Sequence, residues 1–273
     1  MPGTLVRQSR AAATSQTRAT AVIVATRQAG PVRVALISDI HANLHALEAV
    51  LEAIDEEPPD AIWCLGDLVG YGPRPNEATA LVQERAALCL VGNHDLGVLG
   101  RLDLDEFAPD AAESARWTQT VLRDDARAYL ETLSPQAKTE GVELYHASPR
   151  DPVWEYVLTE EVARDSFEVT EAPLILVGHS HIALAIGLVE GHLGGGLAPE
   201  GTEIDLEDDR WLLNPGSVGQ PRDGDPRAAW LELDLGAGRA RFRRIPYPVE
   251  RTQAEIRERG LPDALAERLA NGV

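Results

Sequence analysis

Short apolar runs that stop abruptly at Asp, Asn or His recur along this chain. Val32–Ile37 is followed by Asp39 and His41, Ala61–Leu65 by Gly66-Asp67, and Ala87–Val91 by Gly92-Asn93-His94-Asp95. Val142–Tyr145 is followed by His146, and Leu174–Val177 by Gly178-His179-Ser180-His181. Such near-continuous apolar runs read as strands covered on both faces. Leu44–Ile54 and Glu77–Arg85 have helical spacing and lie between the first three runs, so the pattern predicts a sheet covered by helices. In an open α/β sheet the C-terminal strand ends lie side by side on one edge, where ligands bind. A lone Asp-x-His would be ordinary turn chemistry, and Asp39 or Asn43 could simply cap the following helix. Recurrence at successive strand ends is what points to a site. Five of the seven histidines fall at these ends, and the other two, His45 and His192, read as surface residues.

Side chains at i and i+2 of an extended segment point the same way. Asp39 with His41, and His179 with His181, are therefore expected to offer paired ligands from extended backbone. Gly66, Gly92 and Gly178 allow the chain to turn sharply as it leaves each strand. Asp39, Asp67, Asn93, His41, His146, His179 and His181 form a mixed oxygen and nitrogen donor set. That mixture suits Mn, Fe, Zn or Ni and argues against calcium, which takes oxygen ligands. Seven donors exceed one tetrahedral site and fit two divalent cations that share a carboxylate.

The rest of the chain bounds the reading. Its 273 residues, 44% hydrophobic and 25% charged, suffice for a large soluble core. A formal net charge of −19 opposes broad coating of nucleic acid, yet is compatible with a local cationic centre. No apolar stretch approaches the roughly 20 residues of a membrane span. Cys64 and Cys89 sit in apolar runs and read as buried thiols, which places the chain in a reducing cytoplasm. Residues 1–30 carry four arginines and no acidic residue; they read as a disordered tail or the product of a start codon set too far upstream. The expected fold unit is one domain over 31–273. It carries a helical insertion at about 101–140, where Trp117 reads as core, and helices from about 250 (Glu250–Glu258, Pro262–Leu269). Ala183–Val189, Trp211–Leu213, Ala228–Leu235 and Arg239–Ile245 are expected to form a second, antiparallel sheet. Gly191–Gly201 and Asp223–Asp225 are expected to be turns or loops. The oligomeric state is left open.

The ordered blocks Asp-x-His, Gly-Asp, Gly-Asn-His-Asp, a lone His and Gly-His-x-His, over residues 39–181, resemble those of the calcineurin-like metallophosphoesterases. The resemblance implies an α/β fold, a two-sheet β-sandwich flanked by helices. It implies one metal on Asp39, His41 and His181, a second on Asn93, His146 and His179, and Asp67 bridging them. It also implies hydrolysis of a small phosphoester by a hydroxide held between the metals, with His94 placed to protonate the leaving oxygen. Gly70 and Tyr71 occupy positions where protein phosphatases and diadenosine tetraphosphate hydrolases carry an acidic or amide residue and a phosphate-gripping Arg. His146-Ala147-Ser148-Pro149, Asn214-Pro215-Gly216-Ser217 and Pro221-Arg222 are similar to the small bacterial and archaeal phosphodiesterases of the superfamily. That branch favours phosphodiesters, with Arg222 and Tyr71 as candidate substrate contacts and surface or packing roles as their alternatives. A phosphomonoesterase or nucleotidase and a nuclease are the rival enzymes. A scaffold, the role a retromer subunit gives this fold, is the non-enzymatic rival.

Residues 1–30 contain none of these motifs and cannot form a core by composition. Their deletion is expected to leave melting temperature and turnover unchanged; a drop of several degrees in a thermal melt would show that the segment docks.

Overall fold

The computed structural model describes residues 32–139, 141–207 and 209–273. The expectation for residues 1–30 lies outside the described residues. β1 (Arg33–Ile37), β2 (Ala61–Cys64) and β3 (Leu88–Cys89) are joined by α1 (Leu44–Glu56) and α2 (Pro75–Arg85). α3 (Asn93–Val98), a 3-10 turn at Leu104–Glu106, α4 (Pro109–Val121) and α5 (Asp124–Glu131) follow. Next come β4 (Gln136–Thr139), β5 (Val142–Tyr145), α6 (Glu160–Glu168) and β6 (Leu174–Leu176). The remaining strands are β7 (Ala183–Val189), β8 (His192–Leu197), β9 (Glu203–Asp205), β10 (Arg210–Pro215), β11 (Ala228–Asp234) and β12 (Arg239–Ile245). The chain closes with α7 (Val249–Glu258), α8 (Asp263–Glu267) and a 3-10 turn at Arg268–Ala270.

The strands form two six-stranded sheets, ordered β3-β2-β1-β11-β12-β9 and β4-β5-β6-β10-β7-β8. β1, β2 and β3 run parallel in the first, and β5, β6 and β10 run parallel in the second. Each sheet thus contributes three parallel strand ends. Alternation along β1 explains the layering. Val34 and Leu36 face the second sheet and pack with Leu144, Leu176, Leu213 and Phe242. Ala35 and Ile37 face outward onto Leu47, Val50 and Ile54 of α1. The second sheet is covered on its outer face by Ala163 and Phe167 of α6, which meet Tyr145, Ile175 and Leu212. With both faces buried, these strands tolerate apolar residues at every position, which is the pattern seen in the sequence.

Several expected elements fall elsewhere. β11 and β12 do not belong to the second sheet: β11 pairs antiparallel with β1, Leu36 opposite Leu231, and extends the first sheet. Its period-two pattern is satisfied there because Leu231 and Leu233 turn into the core between the sheets. Gly191–Gly201 is not simply a loop. Glu190 (φ 48°) and Gly191 (φ 81°) form a two-residue hairpin turn, and β8 pairs back along β7. Its run of glycines hides the strand from propensity. The helical insertion ends before residue 140, because Gln136–Thr139 is an edge strand paired with β5. Trp117 is half-buried against Tyr71, Ala111 and the C-terminal helices rather than in the central core.

Candidate metal centre

The blocks at the parallel strand ends meet between the two sheets. Asp39 and His41 follow β1, Asp67 follows β2, and Asn93 and His94 follow β3; His146 follows β5, and His179 and His181 follow β6. All eight side chains are buried. The backbone that presents them is not extended. Asp39, His41, Asp67, His179 and His181 all have positive φ, between 48° and 64°. Paired presentation arises from left-handed turns at the strand ends, which corrects the extended-segment expectation. That conformation is strained for residues with a Cβ and tends to concentrate where surrounding structure fixes functional groups.

Two donor groups result, sharing one carboxylate. Asp39, His41, Asp67 and His181 offer donor atoms within 4.8 Å of one another, as do Asp67, His146 and His179. Asp67 Oδ1 accepts the His94 amide at 2.9 Å. Asp67 Oδ2 is buried without a hydrogen-bond partner, 3.6 Å from His41 Nε2 and 3.5 Å from His146 Nε2. Asn93 Oδ1 stands 3.2 Å from His146 Nε2.

The second nitrogen of each imidazole fixes which lone pair faces inward. Nδ1 of His41, His146 and His181 donates to the carbonyls of Val69 (3.1 Å), Leu65 (2.9 Å) and Gln220 (2.7 Å). Nε2 of His179 donates to the Trp154 carbonyl at 3.2 Å. His41 Nε2 and His181 Nε2 are therefore both lone-pair atoms, 3.0 Å apart. Two facing lone pairs repel, and an orphaned carboxylate oxygen in the same volume makes the arrangement costly. A cation held among these donors would resolve both problems, and carbonyl-anchored imidazoles are how proteins orient such ligands. The donor set therefore fits a metal.

Burial pushes the Asp39 carboxyl up to about 7; nearby His146 opposes the rise and Asp67 adds to it. Burial likewise raises Asp67 well above the carboxylate range, with Asp95 reinforcing the shift. Burial holds His41, His94, His179 and His181 well below the usual histidine range.

The contacts of His94 depart from a carboxylate-supported histidine. Its Nδ1 is buried without a partner. Tyr71 (ring centroid 4.3 Å away), His41 (4.8 Å) and Phe107 (5.3 Å) surround the ring. Gly70 has φ +86°, and a Cβ there would lie 2.6 Å from His94 Nδ1, so the space a supporting side chain would need is absent. Asp95 does not contact this nitrogen. Its carboxylate accepts the amides of Val69 and Gly92, both at 3.0 Å, tying the second and third blocks together. Gly92 is itself required: a Cβ there would sit 2.0 Å from Asp67 Oδ1.

Tyr71 is 8% exposed and wedged between His41 and His94. The Arg222 guanidinium lies over the Tyr71 ring, and Nη2 donates to Tyr71 OH (3.2 Å) and Gln220 Oε1 (2.9 Å). Among the described residues no carboxylate pairs with it within 4 Å. Burial works against its charge, and the phenol of Tyr71 favours it. The end of β10 and the loop after it reach the centre through Asn214 Nδ2, which donates to the Gly178 carbonyl at 2.7 Å, and Ser217 Oγ, which donates to the Asp39 carbonyl at 2.8 Å. His45 contacts Glu255 at 3.1 Å, and His192 is exposed. Asn43, rather than Asp39, caps α1 by accepting the Ala46 amide. Phe107, Trp154 and Tyr156 also line the centre, although no motif marked them: Phe107 packs on His94, Trp154 on Phe107, and Tyr156 on His179.

The buried acids set the pH response. Without a cation, the folded chain keeps a proton on Asp39 up to about 7 that the unfolded chain has already lost. The Asp39 contribution to metal-free stability therefore falls as pH rises through that window. The depressed histidines act oppositely as pH falls below the ordinary histidine value, in loaded and metal-free protein alike, so they leave the difference between the two unchanged. A bound cation replaces the carboxyl protons. The melting-temperature difference between Mn²⁺-loaded and chelator-treated protein is expected to widen from pH 6 to pH 8; a constant or shrinking difference in paired thermal melts contradicts this assignment.

A family model described as the calcineurin-like phosphoesterase superfamily domain matches residues 32–236. An uncharacterized protein of Methanocaldococcus jannaschii is 40% identical over 244 residues, 88% of this chain and 98% of that protein. The crystal structure of a metallophosphoesterase from Sphaerobacter thermophilus is similar at TM-score 0.81 and 43% identity, covering 89% of this chain and all (100%) of that one. A symmetrical bis(5'-nucleosyl)-tetraphosphatase of Photorhabdus laumondii is 35% identical over 97 residues, only 30% of this chain and 35% of that protein. Among the described residues no helix is long and apolar enough to cross a membrane. The chain belongs to the calcineurin-like phosphoesterase superfamily and is a metal-dependent phosphoric ester hydrolase.

Proposed function

We propose that this chain is a dinuclear phosphodiesterase. The observation that carries the reading is Asp67 Oδ2, a buried carboxylate oxygen without a hydrogen-bond partner, midway between His41 and His146. Asp39, His41 and His181 would hold one cation, Asn93, His146 and His179 the other, and Asp67 would bridge. The mixed donors suit Mn, Fe, Zn or Ni. When bound, such a pair supplies positive charge at the phosphoryl oxygens and a nucleophilic water at neutral pH.

The chain's own residues do the rest. Among the described residues Arg222 has only neutral side-chain hydrogen-bond partners, and its charge bears on Asp39, His41, Asp67, His94, His179 and His181. An unpaired guanidinium beside the centre is suited to a phosphoryl oxygen. Tyr71 holds Arg222 from one side and packs His94 on the other. His94 adjoins ligand Asn93 and is placed to give a proton to the leaving oxygen. We also infer a reducing, cytoplasm-like setting, because Cys64 and Cys89 lie in register on neighbouring strands as free thiols.

Elemental analysis and a substrate panel test the reading together. Wild type is expected to carry about two transition-metal ions and Asp67→Ala to lose most of both; wild type that stays metal-free in Mn²⁺ or Zn²⁺ refutes it. His94→Ala should keep its metal. It should lose about 10²–10⁴ in turnover on a diester with an alkoxide leaving group and much less on a nitrophenyl ester. Equal losses on both esters would assign His94 to charge stabilisation instead. A wild type that turns over monoesters but no diester would move the assignment to a monoesterase.

Gly70→Ala puts a Cβ against His94 Nδ1 at a position with φ +86°. It is expected to lower turnover of the alkoxide ester at least tenfold while metal content stays near wild type. Unchanged kinetics would show that His94 is free to move aside.

A further inference from the structure

The exposed aromatic at this centre is Tyr156, not Tyr71. Tyr71 is 8% exposed, whereas Tyr156 is 44% exposed. The Tyr156 ring lies flat on the His179 imidazole, with centroids 4.1 Å apart and planes 11° from parallel. Beside it, Trp154 lends its carbonyl to His179 and packs its ring edge-on to Phe107, 4.9 Å away, which in turn meets His94. An aromatic wall thus runs from the His179 side of the centre to His94. Arg222 stands on the other side, with Tyr71 and His181.

The segment carrying Tyr156 is held in place before any substrate arrives. Asp151 accepts the amides of Val153 (3.0 Å) and Trp154 (3.2 Å). Arg150 bridges Glu155 and Asp165 of α6, and Ser148 Oγ donates to Glu155 at 2.5 Å. A large ring kept half in water on a braced loop loses burial that a floppier loop would recover by folding the ring inward. Its exposed surface is available to a planar group at little ordering cost.

We propose that Tyr156 is a substrate-contacting, specificity-determining residue, a stacking platform that selects phosphoesters carrying a planar base over those carrying only aliphatic alcohols. The inference rests on the phosphodiesterase reading for the phosphate's position and adds the chemical class of one ester arm. With the phosphate between the cations and Arg222, an arm leaving toward His179 meets the Tyr156 ring. Stacking is indifferent to base identity, so purines and pyrimidines both gain. An aliphatic arm such as glycerol has no face to offer.

The test compares the metal-loaded wild type with Tyr156→Ala and Tyr156→Phe on two diesters with alkoxide leaving groups, a dinucleoside monophosphate and glycerophosphoethanolamine. Tyr156→Ala is expected to lose about tenfold or more in kcat/KM on the dinucleotide, mainly through KM, and less than about twofold on the glycerol ester. Tyr156→Phe should stay near wild type on both. Metal content should be equal in all three proteins. Equal losses on the two substrates, or a Tyr156→Phe loss as large as that of Tyr156→Ala, overturn stacking, the latter in favour of a contact by the hydroxyl. Calorimetric binding of adenosine monophosphate against glycerol phosphate separates this proposal from the diester reading. If no diester is turned over, the diester reading fails alone, provided the monophosphate still binds at least tenfold tighter in wild type than in Tyr156→Ala. Equal affinity in the two proteins overturns the platform.

Discussion

One carboxylate oxygen, Asp67 Oδ2, organises the centre. It lies between imidazoles contributed by opposite sheets, and no hydrogen-bond partner among the described residues satisfies it. Around it, raised carboxyls and depressed imidazoles record the cost of gathering unpaired donors in a dry volume. The sandwich tolerates this because the frame is otherwise satisfied. Inter-sheet packing by Leu36, Leu144, Leu213 and Phe242 fixes the strand ends, and main-chain carbonyls from three separate loops hold the rings.

The same frame explains the backbone. Left-handed residues with side chains are uncommon, yet Asp39, His41, Asp67, His179 and His181 all adopt that conformation. Each lies just beyond a buried parallel strand, where neighbouring loops hold it: the Asp39 amide bonds to the Gly66 carbonyl, and the His41 amide to the Asp67 carbonyl. The loops therefore brace one another, and strain in one is held by bonds from the next.

The part of this that was legible in the sequence follows from its physical origin. Strand ends with Asp and His could be read because burial on both faces forces unbroken apolar runs and metal chemistry restricts ligand types. The donor set is legible as a pattern, but its left-handed presentation is not, since spacing alone cannot separate extended from turned backbone. β8 is hidden in the sequence because Gly194, Gly195 and Gly196 carry no strand signal, and its register is set by pairing with β7. Period two marks β11 as a strand but not its sheet, because the pattern reports a buried face and not which neighbour provides it. Phe107, Trp154 and Tyr156 left no trace, since a lone aromatic in a loop has no periodicity and its neighbours are set by tertiary structure. Gly70 was noticed as a missing acid; the close approach of His94 that makes glycine necessary there is a three-dimensional fact.

The pairing of β1 with β11 carries a consequence for a nascent chain. Arg33 meets Asp234 and Leu36 meets Leu231, so the strand that begins the described chain finds its antiparallel neighbour only near the end. During synthesis β1, β2 and β3 emerge first, followed by every donor through His181, while one edge of β1 stays open until β11 leaves the ribosome. Such distant pairing is slow because a long loop must close before any contact rewards it. The half-built sheet therefore exposes an apolar edge and a set of unfilled donors together, and both are sealed late, by the same closing step.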